Sequence, residues 1–301
     1  MTDREEAGLR GSVRFCRTEI DYRQSDRPWV MVTSDTYSLA GSLIEWRHQN
    51  PDGSCWSIAA RYGDDGKLLE KEHSGGPAGA ELYSYHYDAF GRLDRVTLRS
   101  AKQDERIFES VQYAQDGTKT RTSYPTPLDE EQRKSTGVSV EAALHSSIDT
   151  VVIMTLLDTD DRPIRKVLYD ADERIIRRIG FRYDDRGLLV EEGELIDGVM
   201  QEDFRNLYRY DALGRKTEVD RHCGNHARVL RTYTYNEHGD VELEHIRQNV
   251  LLFDEGTQEW SQEFGYEYDP AGNWTRRTLD TVLHTAERRS VRIEQRELTY
   301  F

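Results

Sequence analysis

The sequence is short of most of what compact enzymes and secreted scaffolds are built from. It has only three Cys in 301 residues, and Cys16, Cys55 and Cys223 are odd in number and widely spaced, which argues against a disulfide framework. Hydrophobic residues make up 36% and charged residues 32%, with a mean hydropathy of −0.82. A compact globule of this length carries more apolar residues than that. No run approaches the ~18 apolar residues of a membrane-spanning helix. The opening Met1-Thr2-Asp3-Arg4-Glu5-Glu6 has no apolar leader core. These two absences set the expectation of a cytoplasmic protein with no membrane span, export without a leader remaining open. A net charge of −15 repels nucleic acid and anionic lipid on average. Gly-x-Ser-x-Gly, Walker and Gly-x-Gly-x-x-Gly elements are absent, so no enzyme, no catalytic residue, no cofactor and no metal site is expected.

Aromatic residues are plentiful, with 17 Tyr and 8 Phe, and disordered chains are poor in them. They recur in a pattern: an aromatic, often followed by Asp, with Gly four residues on. The instances are Tyr37…Gly41, Tyr62…Gly66, Tyr87…Gly91 and Tyr113…Gly117, then Tyr183…Gly187, Tyr210…Gly214, Tyr235…Gly239 and Tyr268…Gly272. The first four are 25, 25 and 26 residues apart and the last four 27, 25 and 33. A degenerate copy, Leu157-Asp-Thr-Asp-Asp161, lies 26 residues before Tyr183. Tyr169-Asp-Ala-Asp-Glu173 falls halfway, where the opposite turn of the unit belongs. The excess over 125–150 contains Pro125, Pro127 and the acidic Asp129, Glu130 and Glu131. It reads as an insertion loop with a short helix near Val140 to Ser147. The expected organisation is a cap with first strands over 1–36, repeats over 37–124, the insertion over 125–150, and repeats with a C-terminal strand over 151–301.

Before each Asp the residues alternate. Tyr85 and Tyr87 flank His86, Phe181 and Tyr183 flank Arg182, Tyr208 and Tyr210 flank Arg209, Tyr233 and Tyr235 flank Thr234, and Tyr266 and Tyr268 flank Glu267. Period two with aromatics on one side describes a half-buried strand. Asp-x-x-Gly then supplies turn chemistry: Asp bonds the backbone ahead of it and Gly accepts positive φ. Two strands and two turns fill ~25 residues, so nine units predict an all-β, antiparallel meander of roughly eighteen strands with all its aromatics in phase. So large an aromatic face does not stay exposed on a monomer. The sheet must curl into a shell, barrel or flattened sandwich, pair with another copy, or hold a partner. Tyr in place of Phe or Leu implies a partly wet interior in which each hydroxyl finds an acceptor. The polar face is expected to carry cross-strand Arg–Glu pairs.

The units resemble the Rhs or YD repeat. Tyr208-Arg-Tyr-Asp-Ala-Leu-Gly-Arg-Lys-Thr-Glu-Val219 and Tyr85-His-Tyr-Asp-Ala-Phe-Gly-Arg-Leu-Asp-Arg-Val96 match the family pattern closely, and Tyr266-Glu-Tyr-Asp-Pro-Ala-Gly-Asn-Trp-Thr275 is a similar variant. The resemblance covers about 37–280. It implies a β-ribbon spiralling into a hollow, non-catalytic shell, of the kind that encloses toxins in bacterial Rhs and Tc systems and occurs in teneurins. The sequence is too short for a full cocoon, and Asn273-Trp274 departs from the family's self-cleaving core.

The resulting expectation is a binding or encapsulating protein that holds a protein or carbohydrate partner. Its aromatic face offers Tyr85, Tyr87, Phe181, Tyr183, Tyr208, Tyr210, Tyr233, Tyr235, Tyr266, Tyr268 and Trp274. A self-assembling sheet module, hence a possible homo-oligomer, is the alternative, and a hydrolase built on 125–150 the remotest reading. His222-Cys223-Gly-Asn-His226 and Asp158-Thr-Asp160-Asp161 carry metal-ligating side chains, but both fall where turns are expected. Of the tryptophans, Trp29, Trp46, Trp56, Trp260 and Trp274, core packing is the commoner use and stacking on a sugar or peptide the rarer.

Overall fold

Among the described residues, twenty strands run in sequence order, each antiparallel to the next. A computed structural model describes residues 2–22, 29–76, 79–101, 103–124, 152–224, 227–250, 256–284 and 288–301. The first half comprises β1 (Val13–Tyr22), β2 (Trp29–Tyr37), β3 (Leu43–Gln49), β4 (Cys55–Tyr62), β5 (Leu68–Gly76), β6 (Gly79–Tyr87), β7 (Leu93–Ser100), β8 (Arg106–Tyr113), β9 (Lys119–Ser123) and β10 (Val152–Leu157). The second comprises β11 (Pro163–Tyr169), β12 (Ile175–Tyr183), β13 (Leu189–Ile196), β14 (Val199–Tyr210), β15 (Lys216–Cys223), β16 (Ala227–Tyr235), β17 (Val241–Val250), β18 (Gly256–Tyr268), β19 (Trp274–Leu283) and β20 (Arg288–Tyr300).

The meander closes. β1 pairs with β2 on one side and with β20 on the other, from Val13↔Tyr300 to Tyr22↔Arg292. β9 and β10 pair across the insertion, from Ile153↔Ser123 to Leu157↔Lys119. Among the described residues no strand is left with an open edge, so these strands have nothing to offer another sheet by edge pairing. Nine Tyr- or Leu-headed turns join β2 to β3 through β18 to β19 at one rim. These account for eighteen strands, as the repeat predicts, and β1 and β20 zip the ring shut. The insertion over 125–150 and its expected helix lie outside the described residues. The one described helix, α1 (Asp3–Glu6), is a single capped turn on the Tyr rim.

Each turn has the same build. In Asp88–Arg92, the Asp88 amide bonds the Arg92 carbonyl at 2.8 Å and the Gly91 amide the Asp88 carbonyl at 2.9 Å. Asp88 Oδ1 accepts from the Phe90 and Arg92 amides, both at 2.9 Å. Gly91 sits at φ 76° and the register slips just beyond, between His86 and Tyr87. This is the three-residue hairpin loop whose left-handed third residue seeds a bulge. In the degenerate copy Asp161 takes that position at φ 62°, a conformation Asp tolerates.

The two faces differ in burial. On β18, Phe264, Tyr266 and Tyr268 are partly buried while Glu263, Gly265 and Glu267 between them are exposed. Following the cross-strand partners around the ring puts the aromatic row on the concave side and Arg–Glu pairs on the convex side. Examples of the latter are Arg61–Glu70 (2.9 Å) and Arg276–Glu267 (2.9 Å). Twenty strands at about 4.8 Å spacing give a circle about 30 Å across, three times the ~10 Å of packed sheets. Few side chains are therefore fully buried. A cluster of buried hydrophobic residues, Leu9, Val13, Cys16 and Tyr37 with Leu43 and Leu298 against it, lies where β1, β2 and β20 meet.

Candidate functional site

The paired aromatics divide into two sets. The second of each pair, at the strand end, is used to join repeats. Tyr87 Oη donates to the Leu68 carbonyl (2.8 Å), Tyr183 to Pro163 (2.8 Å), Tyr210 to Leu189 (2.7 Å) and Tyr235 to Lys216 (2.5 Å). Tyr62 and Tyr113 do the same to Leu43 and Leu93. Every acceptor lies two residues past the glycine position of the preceding turn. The residue between them, when basic, lies over the same ring. Lys67 Nζ is 5.3 Å from the Tyr87 centroid, and the Arg162 and Arg215 guanidinium carbons are 5.1 and 4.5 Å from Tyr183 and Tyr235. Burial pushes the phenol pKa of Tyr87, Tyr183, Tyr210 and Tyr235 up, with nearby carboxylates adding to it at Tyr183 and Tyr210. The Tyr-Asp-x-x-Gly-Arg pattern is thus one device: Asp and Gly make the turn, and the next repeat's Tyr clips it from above and is itself clipped by Arg.

Tyr268 departs slightly, donating to Asp240 Oδ2 (2.8 Å) while Tyr266 takes the Val241 carbonyl (2.7 Å). The inner set of Tyr85, Phe181, Tyr208 and Tyr233 lines the concave wall among charged neighbours. Tyr208 Oη donates to Glu192 Oε1 at 2.7 Å, and the Tyr208 phenol is shifted upward by burial first and that bond second. Trp274 is nearly buried between two guanidiniums, with Arg277 at 4.8 Å and Arg296 at 3.5 Å from its centroid. Of the other tryptophans, Trp29 stacks on Tyr22 at 3.8 Å and Trp56 is 46% exposed. The concave wall is aromatic, studded with paired charges and only partly covered.

Of the other residues singled out by sequence, Asp158–Asp161 form a turn, whereas His222 and Cys223 lie in β15, paired with Arg228 and Ala227, and not in the turn expected there. Asp158 caps its own loop through the Asp160 and Arg162 amides, and Cys223 ends β15 beside the left-handed Gly224. His226 lies outside the described residues. Among the described residues no group of three or more His, Cys, Asp or Glu could hold a metal.

Sequence reasoning missed a polar cluster on the concave side of the seam, formed by Arg277 on β19, Glu294 and Arg296 on β20, Cys16 on β1 and Asp35 on β2. Arg277 Nη2 and Arg292 Nη2 hold the two oxygens of buried Glu294 at 2.5 and 2.8 Å. Burial raises the Asp35 pKa to about 6, against a downward pull from Arg296. Burial likewise pushes the Cys16 thiol up and Arg296 down. No spacing rule finds this cluster, because Asp35 and Arg296 meet only when the ring closes.

The model of a family described only as an uncharacterised protein matches residues 145–272. No curated protein matches. Among solved structures, the chain is similar to a porin-like protein from Bacteroides uniformis (9% identity, 96% of this chain and 99% of that one, TM-score 0.41). It is also similar to a porin-like protein from Bacteroides vulgatus (10% identity, 94% and 97%, TM-score 0.32). A third is TcdB2-TccC3 (12% identity, TM-score 0.35), which matches 89% of this chain over 17% of that one. Likeness at this level says nothing of what the chain binds.

The expected cytoplasmic location is corrected by this comparison: two of the similar structures are porin-like barrels. The grounds for that expectation also do not apply to a barrel. No described helix is long and apolar enough to cross a membrane, but a barrel crosses with strands.

Proposed function

We propose that the chain is a non-catalytic shell of the Rhs or YD type that holds a polypeptide guest against its concave wall. The supporting observation is the closed register of β1 with β2 and β20. Closure leaves no edge for assembly and turns the aromatic row inward, so the surface suited to binding is the interior. The likeness to TcdB2-TccC3 agrees with this reading but does not carry it.

A polypeptide suits the wall better than a sugar. Trp274 is closed off by two guanidiniums and Trp29 by Tyr22, which removes two flat platforms a sugar would need. Tyr with interspersed Arg and Glu is adaptable to varied side chains. The interior, about 20 Å wide once side chains are allowed for, accepts an extended chain or a helix of ~10–12 Å. The convex face carries ion pairs on many strands, including Arg209–Glu218 and Arg289–Asp280. A membrane barrel instead needs an outward apolar band ~25 Å tall. This shell therefore works in water.

The test uses a fluorophore on Tyr233→Cys (concave) or Thr232→Cys (convex) in a Cys55→Ser background, titrated with reduced, carboxymethylated α-lactalbumin as an unfolded guest. Saturable quenching at position 233 but not at 232 supports the shell. Equal response at both positions, or none at 233, rejects it.

A further inference from the structure

On the concave seam three guanidiniums, Arg277, Arg292 and Arg296, lie near two carboxylates, Glu294 and Asp35. Arg277 and Arg292 take both oxygens of Glu294. Arg296 is left over: among the described residues its side chain makes no hydrogen bond and no ion pair, and its Nε is sealed from solvent with no acceptor. Arg292 Nε is sealed in the same way. The stack on Trp274 fixes the plane of Arg296 at 3.5 Å but supplies no acceptor. Asp35, half-buried, is close enough to feel the charge, yet makes no hydrogen bond or ion pair with it among the described residues. A partly buried guanidinium with no hydrogen bond and no ion pair is unfavourable. Where a fold keeps one pinned flat and unused, the missing partner is most economically a ligand.

We infer that Arg296, held flat on Trp274 and flanked by Arg277 and Arg292, is a binding site for an oxyanion, a carboxylate or phosphate group carried by a ligand inside the ring. A planar guanidinium offers two parallel N–H donors matched to such a group. The Arg277–Glu294–Arg292 arrangement already shows that chemistry on the same wall. Thr18 lies directly across from Arg296 in the β1–β20 register and places a hydroxyl on the same face. The site does not depend on what else the shell encloses.

The test compares melting of the full chain in sodium phosphate, sodium acetate and sodium chloride at equal ionic strength. The variants are Arg296→Gln, Arg296→Lys and, as a convex-wall control, Arg209→Gln. Wild type and Arg209→Gln are expected to gain roughly 5 °C when the oxyanion is about a hundredfold above its Kd. Arg296→Gln is expected to lose that gain while melting no lower than wild type in chloride, since it removes a charge that makes no ion pair and no hydrogen bond. Arg296→Lys should recover part of the gain. A gain in phosphate alone assigns the site to phosphate-bearing ligands, and a gain in both salts assigns it to oxyanions generally. The inference fails if wild type gains nothing, or if Arg296→Gln keeps the gain. It also fails if Arg296→Gln melts well below wild type in chloride or does not fold, since the guanidinium is then a structural clamp on Trp274.

Discussion

The repeated wall from β3 to β18 and the seam formed by β19, β20, β1 and β2 solve the same problem in different ways. In the wall most turns of the Tyr rim are clipped by the next repeat's Tyr hydroxyl, with the turn's own Lys or Arg over that ring at four of them, and few side chains are fully buried. At the seam the pattern breaks. The phenol of Tyr300 turns to Asp269 Oδ2, Asn273 Nδ2 bonds both the Arg10 carbonyl and Tyr300 Oη at 2.9 Å, and the Arg10 side chain bonds the Gly272 carbonyl at 2.6 Å. A small apolar core and a buried charged cluster fill the rest. The wall spreads stability over many equal contacts; the seam concentrates it in a few unequal ones.

Substitutions that separate the two regions follow in order of size. Asp35→Asn should have the largest effect. Its folded pKa of about 6 lies above the usual 3.8, so the folded state binds the proton more tightly than the unfolded one. Stability then falls as pH rises from about 4 to 6 and stays reduced above that. The substitution should add up to about 3 kcal/mol at pH 8 and nothing near pH 4, read from urea midpoints at both pH values. An equal effect at both places Asp35 outside the buried cluster.

Val13→Ala at the fully buried seam position should cost about 2 kcal/mol and broaden the transition as the ring opens. Val219→Ala in the wall should cost less and leave the transition sharp. Equal broadening in denaturation curves would erase the distinction between the regions.

Tyr210→Phe removes one clip and leaves the Leu189 carbonyl unanswered, for about 1 kcal/mol. Tyr183→Phe and Tyr235→Phe should match it, since their partners are equivalent. A large spread among the three would mean the clips are not interchangeable.

The smallest effect is Asp211→Ala, about 0.5–1 kcal/mol from two lost amide bonds to Oδ1. Asp170→Ala at the other rim keeps the same turn geometry, with Asp172 and Arg174 amides on Oδ1, but lies under no Tyr clip. Any excess cost of Asp211→Ala over Asp170→Ala measures the coupling between turn and clip.

The wall was legible in sequence. Tyr, Asp and Gly at fixed spacing report a turn, a phase and a face, because each residue is there for local backbone chemistry that the sequence carries intact. The partner of the Tyr hydroxyl was half legible: a wet interior follows from choosing Tyr, but the acceptor lies in the previous repeat and emerges only from register. Closure was open among curling, flattening and pairing, since β1 and β20 carry no Tyr-Asp-x-x-Gly signature and meet across nearly the whole chain. The same long reach hid Arg296 and Asp35. On its own strand each reads as one more polar residue in an alternating stretch.

The pairing of β1 with β20 also bears on synthesis. β20 is the last of the twenty strands to leave the ribosome, and until it does β1 has one neighbour and the wall is an open strip. Loop closure over so long a span is slow compared with hairpin formation. During that delay the concave side is reachable along its whole length, so the polypeptide guest proposed above would be loaded from the side before the last strand locks, without threading through either rim.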